Sequence, residues 1–256
     1  MRRSVCHSFA GVVGAGAALL LAASAQGQNL FEADRSGGNI YEFTPNGGSS
    51  TFASGLNEPS GLAFNSAGNL FEADHGGGNI YEFTPNGGSS TFASGLDYPS
   101  GLAFDSAGDL FEADSGSGDI YEFTPGGLKT TFASGVGQPG GLAFNSAGDL
   151  FVSSAYDTGN IYEFTPSGTL SVFASGLSVP GDLAFNSTGD LFEANVSNGF
   201  IYEFTPSGTQ STFASGLGGN LELAFQGTTL PIPEPSTIGL VSLSLSALLV
   251  SRRRKA

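Results

Sequence analysis

The sequence has few of the residues on which catalysis and metal binding usually depend. It contains one cysteine, two histidines and no tryptophan in 256 residues. Cys6 lies near the N-terminus, so the repeated body of the chain has no thiol, no disulfide and one histidine, His75. It also has no nucleophile elbow, zinc-binding pair or phosphate-binding glycine loop. The sequence therefore favours a protein that is not an enzyme, and we expect no cofactor.

Basic residues are also scarce between the two ends of the chain. Six of the eight lie at the ends, which leaves Arg35 and Lys129 in the body against 22 acidic residues, a formal charge of −20. Such a surface repels phosphate backbones. This composition excludes nucleic acid as an expected partner and favours cations or neutral and basic surfaces.

The N-terminus has the organisation of a signal peptide. Arg2 and Arg3 precede an apolar stretch from Phe9 to Ala23, and Ala23-Ser24-Ala25 offers small residues for cleavage. We interpret residues 1–25 as a cleaved signal peptide. The alternative, a membrane anchor, is weaker because the stretch is shorter than the roughly 20 apolar residues that a span needs.

The C-terminus carries a second composite signal. Residues 231–256 contain Pro233-Glu234-Pro235, an apolar run from Ile238 to Val250, and the basic tail Arg252-Arg253-Arg254-Lys255. This order resembles the PEP-CTERM sorting signal. The resemblance implies Gram-negative export, transient anchoring in the inner membrane by the tail, and cleavage by an exosortase-type protease. A simple anchor helix oriented by its basic tail is the alternative.

Five copies of one unit fill residues 29–228. The phrase Asn-Ile-Tyr-Glu-Phe-Thr-Pro or a close variant begins at Asn39, Asn79, Asp119, Asn160 and Phe200, at intervals of 40, 40, 41 and 40 residues. Each unit contains four short apolar runs separated by turns rich in Gly, Pro and Asn, with no helix signal. Four strands in about 40 residues are typical of a propeller blade.

The sequence therefore predicts an all-β, five-bladed β-propeller of four-stranded antiparallel blades. The body begins with the second strand of a blade and ends with a first strand. We expect the strand at Leu221–Phe225 to pair with the strand at Leu30–Ala33 and to close the ring, which removes exposed strand edges. A larger ring assembled from two chains is the alternative.

The units also resemble NHL repeats and the related SMP-30/gluconolactonase-like propellers. The phrase Pro99-Ser-Gly-Leu-Ala-Phe-Asp-Ser-Ala-Gly-Asp-Leu-Phe-Glu-Ala-Asp114 carries the likeness, which spans all five copies. Those families commonly have six blades. The resemblance implies a metal-dependent lactonase or hydrolase as the alternative function.

The repeated acids are candidates for calcium ligands. Acidic residues recur on the second and third strands of each copy, and oxygen-rich groups are the ligands that calcium prefers. Like charges on one side of paired strands repel each other unless a cation or proton intervenes. The candidates are Glu72, Asp74, Glu82, Glu112, Asp114 and Glu122. The alternative interpretation, which we prefer, is that these acids are structural or solvated.

The differences between copies concentrate in two loops, one after the second strand and one after the fourth. Alternate connections of an up-and-down blade emerge on the same face, so these loops share one face of the disc. Variable loops on a rigid scaffold are typical of a binding surface, although drift in unconstrained loops explains them equally simply. The candidate binding residues are Arg35, His75, Tyr98, Tyr156 and Asp157.

These observations lead to one functional hypothesis. We expect an exported, surface- or matrix-associated propeller that acts as a non-enzymatic binding scaffold. Its expected partners are extracellular polysaccharide or surface proteins, together with the sorting protease. Calcium is an ion that the repeated acids could hold.

Overall fold

The computed structural model describes residues 29–44, 46–154, 159–217 and 223. These residues form 19 β-strands. No stretch of them forms a helix with the length and apolarity that crossing a membrane requires. The strands are β1 (Leu30–Asp34), β2 (Asn39–Phe43), β3 (Ser49–Ser54), β4 (Pro59–Phe64), β5 (Leu70–Asp74), β6 (Asn79–Phe83), β7 (Ser89–Ser94), β8 (Pro99–Phe104), β9 (Leu110–Asp114), β10 (Asp119–Phe123), β11 (Lys129–Ala133), β12 (Pro139–Phe144), β13 (Leu150–Ser154), β14 (Asn160–Phe164), β15 (Leu170–Ala174), β16 (Pro180–Phe185), β17 (Leu191–Asn195), β18 (Phe200–Phe204) and β19 (Gln210–Ala214).

The strands form five antiparallel sheets, which are the five blades. Blades two to five each have four strands in sequence order, β4–β7, β8–β11, β12–β15 and β16–β19. Blade one contains β1–β3 within the described residues. The predicted all-β, five-bladed propeller is confirmed. The predicted closing strand Leu221–Phe225 lies outside the described residues except for Leu223, whose amide donates to Asp182 Oδ2 at 2.7 Å.

Each blade has two different faces because successive residues of a strand point to opposite sides. In blade two, Phe71 and Ala73 belong to a core shared with blade three. Leu70 belongs instead to a core shared with blade one. Glu72 lies between Phe71 and Ala73 in sequence, so it shares the blade-one side with Leu70. The first four side chains of the second strand therefore each face one neighbouring blade.

Phenylalanine rings fill the spaces between blades. Phe71 makes an edge-to-face contact with Phe92 of its own blade and another with Phe104 of the next, both at 5.0 Å between ring centroids. The same contacts recur around Phe31, Phe111 and Phe151. Aromatic pairs of this kind contribute about 0.5–1.5 kcal/mol beyond the area they bury. The five sequence copies are thus joined by one repeated contact.

The innermost strands approach so closely that they need glycine. A Cβ atom at Gly61 would overlap the carbonyl oxygen of Ser100, and one at Gly101 would overlap that of Gly140. At Gly141 the distance from such an atom to Gly181 O would be 2.7 Å. Asp182 takes the equivalent place in blade five. Three of the described inner strands therefore meet their neighbours through backbone, not through side chains.

The outward faces of the first and fifth blades are less covered than the faces between blades. Leu30 is 57 % exposed, whereas its counterparts in blades two to five are at most 1 % exposed. Glu32 is exposed, and Phe213 of blade five is 62 % exposed. The faces that form cores elsewhere are thus accessible at Leu30 and Glu32 of the first blade and at Phe213 of the fifth.

We predict that Gly101→Ala lowers the free energy of unfolding by about 1–3 kcal/mol, the usual cost of overpacking. Its Cβ would displace the backbone of the neighbouring inner strand. Gly126→Ala is the matched control, because the nearest atom to its Cβ would be Thr124 Oγ1 at 3.9 Å. Denaturant unfolding of both variants checks this, and equal stability of the two would contradict the close approach.

Candidate functional site

Two sets of loops lie on one face of the propeller, as the sequence predicts. The amide of Leu56 donates to Gly38 O at 3.1 Å, and that of Gly76 donates to Asn57 O at 2.8 Å. The same bonds recur in later blades. We call this side the loop face, defined by residues 35–38, 55–58, 75–78, 95–98, 115–118, 135–138, 175–179 and 196–199. The opposite side, with residues 65–68, 85–88, 105–109 and 125–128, is the turn face.

Two of the metal candidates hold these loops together. Asp74 Oδ1 accepts the amide of Asn57 at 2.9 Å, and Asp114 Oδ2 accepts that of Asp97 at 2.8 Å. Asp114 Oδ1 also accepts the amide and the hydroxyl of Ser117 at 3.1 and 2.7 Å. These carboxylates thus link the loop after the second strand to the loop that enters the blade. The positions of these carboxylates are explained by the backbone amides from which they accept hydrogen bonds.

Arg35 and His75 meet at the junction of blades one and two. They occupy the same position in consecutive copies, and Arg35 Nη2 lies 3.0 Å from His75 Nδ1 and 3.2 Å from Nε2. Arg35 also donates to Glu58 Oε2 from Nη2 at 3.0 Å and from Nε at 3.3 Å. Glu58 Oε2 lies 3.5 Å from His75 Nδ1. Three side chains from three loops therefore form one polar cluster.

Tyr98 extends this cluster along the loop face. Its ring lies 5.1 Å from the His75 ring at 39°, and the residue remains 54 % exposed. Its carbonyl oxygen accepts the Ser115 hydroxyl at 2.8 Å, which ties it to blade three. We call Arg35, Glu58, His75 and Tyr98 the loop-face cluster.

Backbone strain coincides with this cluster. Among the described residues, Glu58 and Tyr98 are the two non-glycine residues with positive φ, at 56° and 57°. Each precedes a proline, Pro59 or Pro99, which disfavours helical conformations further. Left-handed conformations cost about 1–3 kcal/mol at such residues and concentrate at functional sites. Two residues of the loop-face cluster, Glu58 and Tyr98, are therefore held in place at an energetic cost.

The charge state of the cluster follows from its geometry. Burial, then the adjacent Arg35 guanidinium, lowers the pKa of His75 below its ordinary value, although the Glu58 carboxylate opposes the shift. His75 is therefore neutral at pH 7 and accepts a hydrogen bond from Arg35. One cation and one anion remain, so the cluster carries no net charge.

The glutamates of the second strands lie buried between blades. Glu72, Glu112 and Glu193 have no exposed surface. Among the described residues, neither carboxyl oxygen of Glu72 or Glu112 has a hydrogen-bond partner, whereas Glu193 accepts the amide of Gly181 at 3.3 Å. Burial raises the pKa of Glu72 to about 8 and that of Glu193 to about 7, and it raises that of Glu112 well above 4.5. These groups are protonated at mildly acidic pH.

Blade four shows that this position does not need a carboxyl group. Val152 stands where the other blades have glutamate, and it packs against Ala113, Ile120 and Val136 of blade three. The neighbouring Ser153 bridges two inner strands, because it accepts the Gly141 amide at 2.8 Å and donates to Gly181 O at 2.6 Å. An apolar side chain thus fits this interface.

The third-strand acids lie on the opposite side of the blade. Glu72 pairs with Tyr81, whereas Glu82 pairs with Phe71, so the two glutamates point away from each other. Glu82 accepts the Asn69 amide group at 2.6 Å. Burial, with Asp109 and Asp105 nearby, raises the pKa of Glu122. In the described ranges no three acidic or histidine side chains are placed to share a metal ion.

Two further features lie away from the loop-face cluster. Asp182 lines the ring centre and accepts the amides of Leu183 and Leu223, and burial raises its pKa to about 6. A cavity of about 530 Å³ between blades three and four is lined by Phe111, Phe132, Phe144, Glu122 and residues of the turn face. Neither feature brings sequence-predicted binding residues together.

The structure thus unites Arg35, His75 and Tyr98 of the five candidate binding residues. Tyr156 and Asp157 lie outside the described residues. Sequence reasoning missed Glu58, although it stands in one of the variable loops. Sequence reasoning also did not decide whether Glu72 and Glu112 are buried, because a repeated glutamate has the same sequence pattern at an interface between blades and at a solvent-exposed surface.

Comparisons with known proteins support the fold. No protein-family model and no curated protein matches the sequence. A gluconolactonase from Xanthomonas campestris has a TM-score of 0.70 and 18 % identity, with 77 % of this chain and 75 % of that chain covered. Virginiamycin B lyase from Staphylococcus aureus has a TM-score of 0.62 and 17 % identity, with 77 % of this chain and 71 % of that chain covered. A chain of a nidogen/laminin complex has a TM-score of 0.69 and 20 % identity, with 78 % of this chain and 82 % of that chain covered. This chain therefore shares the fold of gluconolactonase-like and other β-propellers.

We predict that the protein is more stable at pH 5 than at pH 8. The folded protein holds the protons of Glu72, Glu112 and Glu193 at a higher pH than the unfolded chain does, because their pKa values are raised on folding. Unfolding between about pH 4.5 and 8 therefore releases protons, so the free energy of unfolding falls as pH rises through this window. Melting temperatures across the window check this, and a rise with pH would contradict it.

We also predict that Glu112→Val stabilises the protein at pH 8 by about 1–3 kcal/mol, the usual cost of a buried polar group without a partner. Blade four already carries valine at this position. Glu32→Val is the matched control, because Glu32 is exposed, and we expect little change there. If Glu112→Val destabilised the protein instead, the carboxylate would have a partner such as a bound cation.

Proposed function

We propose that this protein is an exported β-propeller that acts as a non-enzymatic binding scaffold and meets its ligand through the loop face. The observation that carries this proposal is the loop-face cluster. It joins Arg35, His75 and Tyr98 from three loops of neighbouring blades, leaves Arg35 and Tyr98 accessible, and includes the two strained residues of the described chain.

The difference in sequence variation between the loop face and the turn face supports this proposal. The loop face differs between copies at the positions of Arg35, His75 and Tyr98, whereas the turn face repeats nearly the same residues. Hydrogen bonds that Asp74 and Asp114 accept from loop amides hold the variable loops on the blades. A rigid frame with varied loops is a common arrangement for recognition.

Export and sorting complete the proposal. Residues 1–25 would direct secretion, and residues 231–256 would anchor the chain transiently in the inner membrane until an exosortase-type protease acts at Pro233-Glu234-Pro235. The propeller would then reside at the outer surface or in the extracellular matrix. Polysaccharide or surface proteins would be its partners there.

A lactonase or hydrolase is the alternative. A gluconolactonase and a lyase are among the structural neighbours, at identities of 18 % and 17 %. A metal-dependent reaction needs several oxygen or nitrogen ligands that converge on one ion. Within the described residues, the acids of the second and third strands face opposite sides of blades two and three. The loop-face cluster is the better supported site.

We predict no hydrolysis of gluconolactone or of other sugar and aliphatic lactones by the full-length protein, with or without millimolar calcium, magnesium, manganese or zinc. A gluconolactonase assayed in parallel is the positive control. Calorimetry and thermal melts with calcium accompany the assay, and we expect neither heat of binding nor a shift of melting temperature. Metal-dependent turnover would contradict the scaffold proposal, and several equivalent calcium sites would identify the repeated acids as ligands.

A further inference from the structure

The loop-face cluster offers an exposed aromatic surface. Tyr98 is held in a left-handed conformation before Pro99, and its ring is 54 % exposed beside His75. Its hydroxyl has no hydrogen-bond partner among the residues that the structure describes. Tyrosine combines an apolar ring with a polar tip, which suits ligands that are apolar on one side and hydroxylated on the other.

A donor and an acceptor lie side by side next to this ring. The Arg35 guanidinium and the Glu58 carboxylate are 3.0 Å apart, and their side chains are 42 % and 52 % exposed. A guanidinium only donates hydrogen bonds and a carboxylate only accepts them, whereas a hydroxyl does both. The pair therefore matches two neighbouring hydroxyl groups, one of which accepts from Arg35 while the other donates to Glu58.

Charge selects among hydroxylated ligands. The cluster has no net charge at pH 7, and the body around it carries 22 acidic residues against Arg35 and Lys129. Lys129 is engaged over the Tyr121 ring, with Nζ 3.9 Å from the centroid. An acidic polymer would be repelled by the acidic residues of the body, and the Arg35 guanidinium that could bind it is already paired with Glu58. A neutral ligand is not repelled and does not need to separate Arg35 from Glu58.

We propose that the loop-face cluster binds a neutral saccharide, with a sugar ring against Tyr98 and neighbouring hydroxyls on Arg35 and Glu58. This inference rests on the proposed function and specifies its ligand. The strained backbone of Glu58 and Tyr98 and the bonds from Arg35 to Glu58 and His75 hold the side chains in place before binding. Preorganisation of this kind reduces the ordering cost of association.

The test uses affinity electrophoresis of the full-length protein through gels that contain dextran, galactomannan or polygalacturonate. We expect retardation by at least one of the two neutral polymers and none by polygalacturonate. Tyr98→Ala should weaken the binding at least tenfold, and Tyr98→Phe less than threefold. Arg35→Ala should also weaken it several-fold. Leu128→Ala, an exposed apolar substitution on the turn face, is the control and should bind as the parent protein does.

The outcomes separate this inference from the proposed function. Retardation by polygalacturonate that Tyr98→Ala abolishes would overturn the neutral saccharide and leave the loop face as the binding surface. Retardation by dextran or galactomannan that survives both Tyr98→Ala and Arg35→Ala would overturn the site. Absence of retardation in all three gels would overturn the saccharide inference, and lactone turnover in the separate assay would overturn the scaffold itself.

Discussion

Packing of one blade against the next is the interaction on which the whole structure depends. A single four-stranded sheet of this sequence is apolar on both faces and cannot shield itself. Phe71 illustrates the solution, because its ring contacts Phe92 within the blade and Phe104 across the interface. Inner-strand glycines such as Gly101 let the blades approach closely enough for these contacts. The repeat of 40 residues is therefore a repeat of interfaces as much as of sheets.

This constraint leaves variation to the loops. Residues on either face of a blade must fit a neighbour, and the turn face repeats the same tight hairpins. The loops of the loop face are constrained mainly by the hydrogen bonds of their backbone amides. Asp74 and Asp114 at the ends of the second strands accept two of these hydrogen bonds. Arg35 and His75 occupy equivalent positions in adjacent copies, so a difference between copies meets at the junction of blades one and two. Recognition can thus be built from substitutions that leave the interfaces unchanged.

The buried glutamates are chemically unfavourable in the interfaces between blades. Glu72 and Glu112 occupy apolar interfaces and have no hydrogen-bond partners in the part of the chain that the structure describes, whereas Val152 fills the same position with an apolar side chain. The cost is small at acidic pH, where both carboxyl groups are protonated, and larger at alkaline pH. Stability and pH are therefore linked through the core.

Much of the fold could be predicted from the sequence, because the spacing of the phrase around Ile40 and its copies gives the blade length directly. The site was only partly predictable. Equivalent positions in adjacent blades lie close together, so Arg35 and His75 could be expected to meet. The contact between Arg35 and Glu58 depends on the left-handed backbone conformation of Glu58 before Pro59, which no sequence pattern predicts. The opposite orientation of Glu72 and Glu82 depends on strand register, and a shift of one residue would have reversed it.

Hydrogen–deuterium exchange of the full-length protein, with and without saturating neutral polysaccharide, tests the role of the loop face most directly. Protection is expected in peptides that contain residues 35–38, 55–58, 75–78 and 95–98, with no change at residues 105–109 and 125–128 of the turn face. Protection confined to the turn face, or to the ring centre around Asp182, would contradict the assignment of recognition to the loop face.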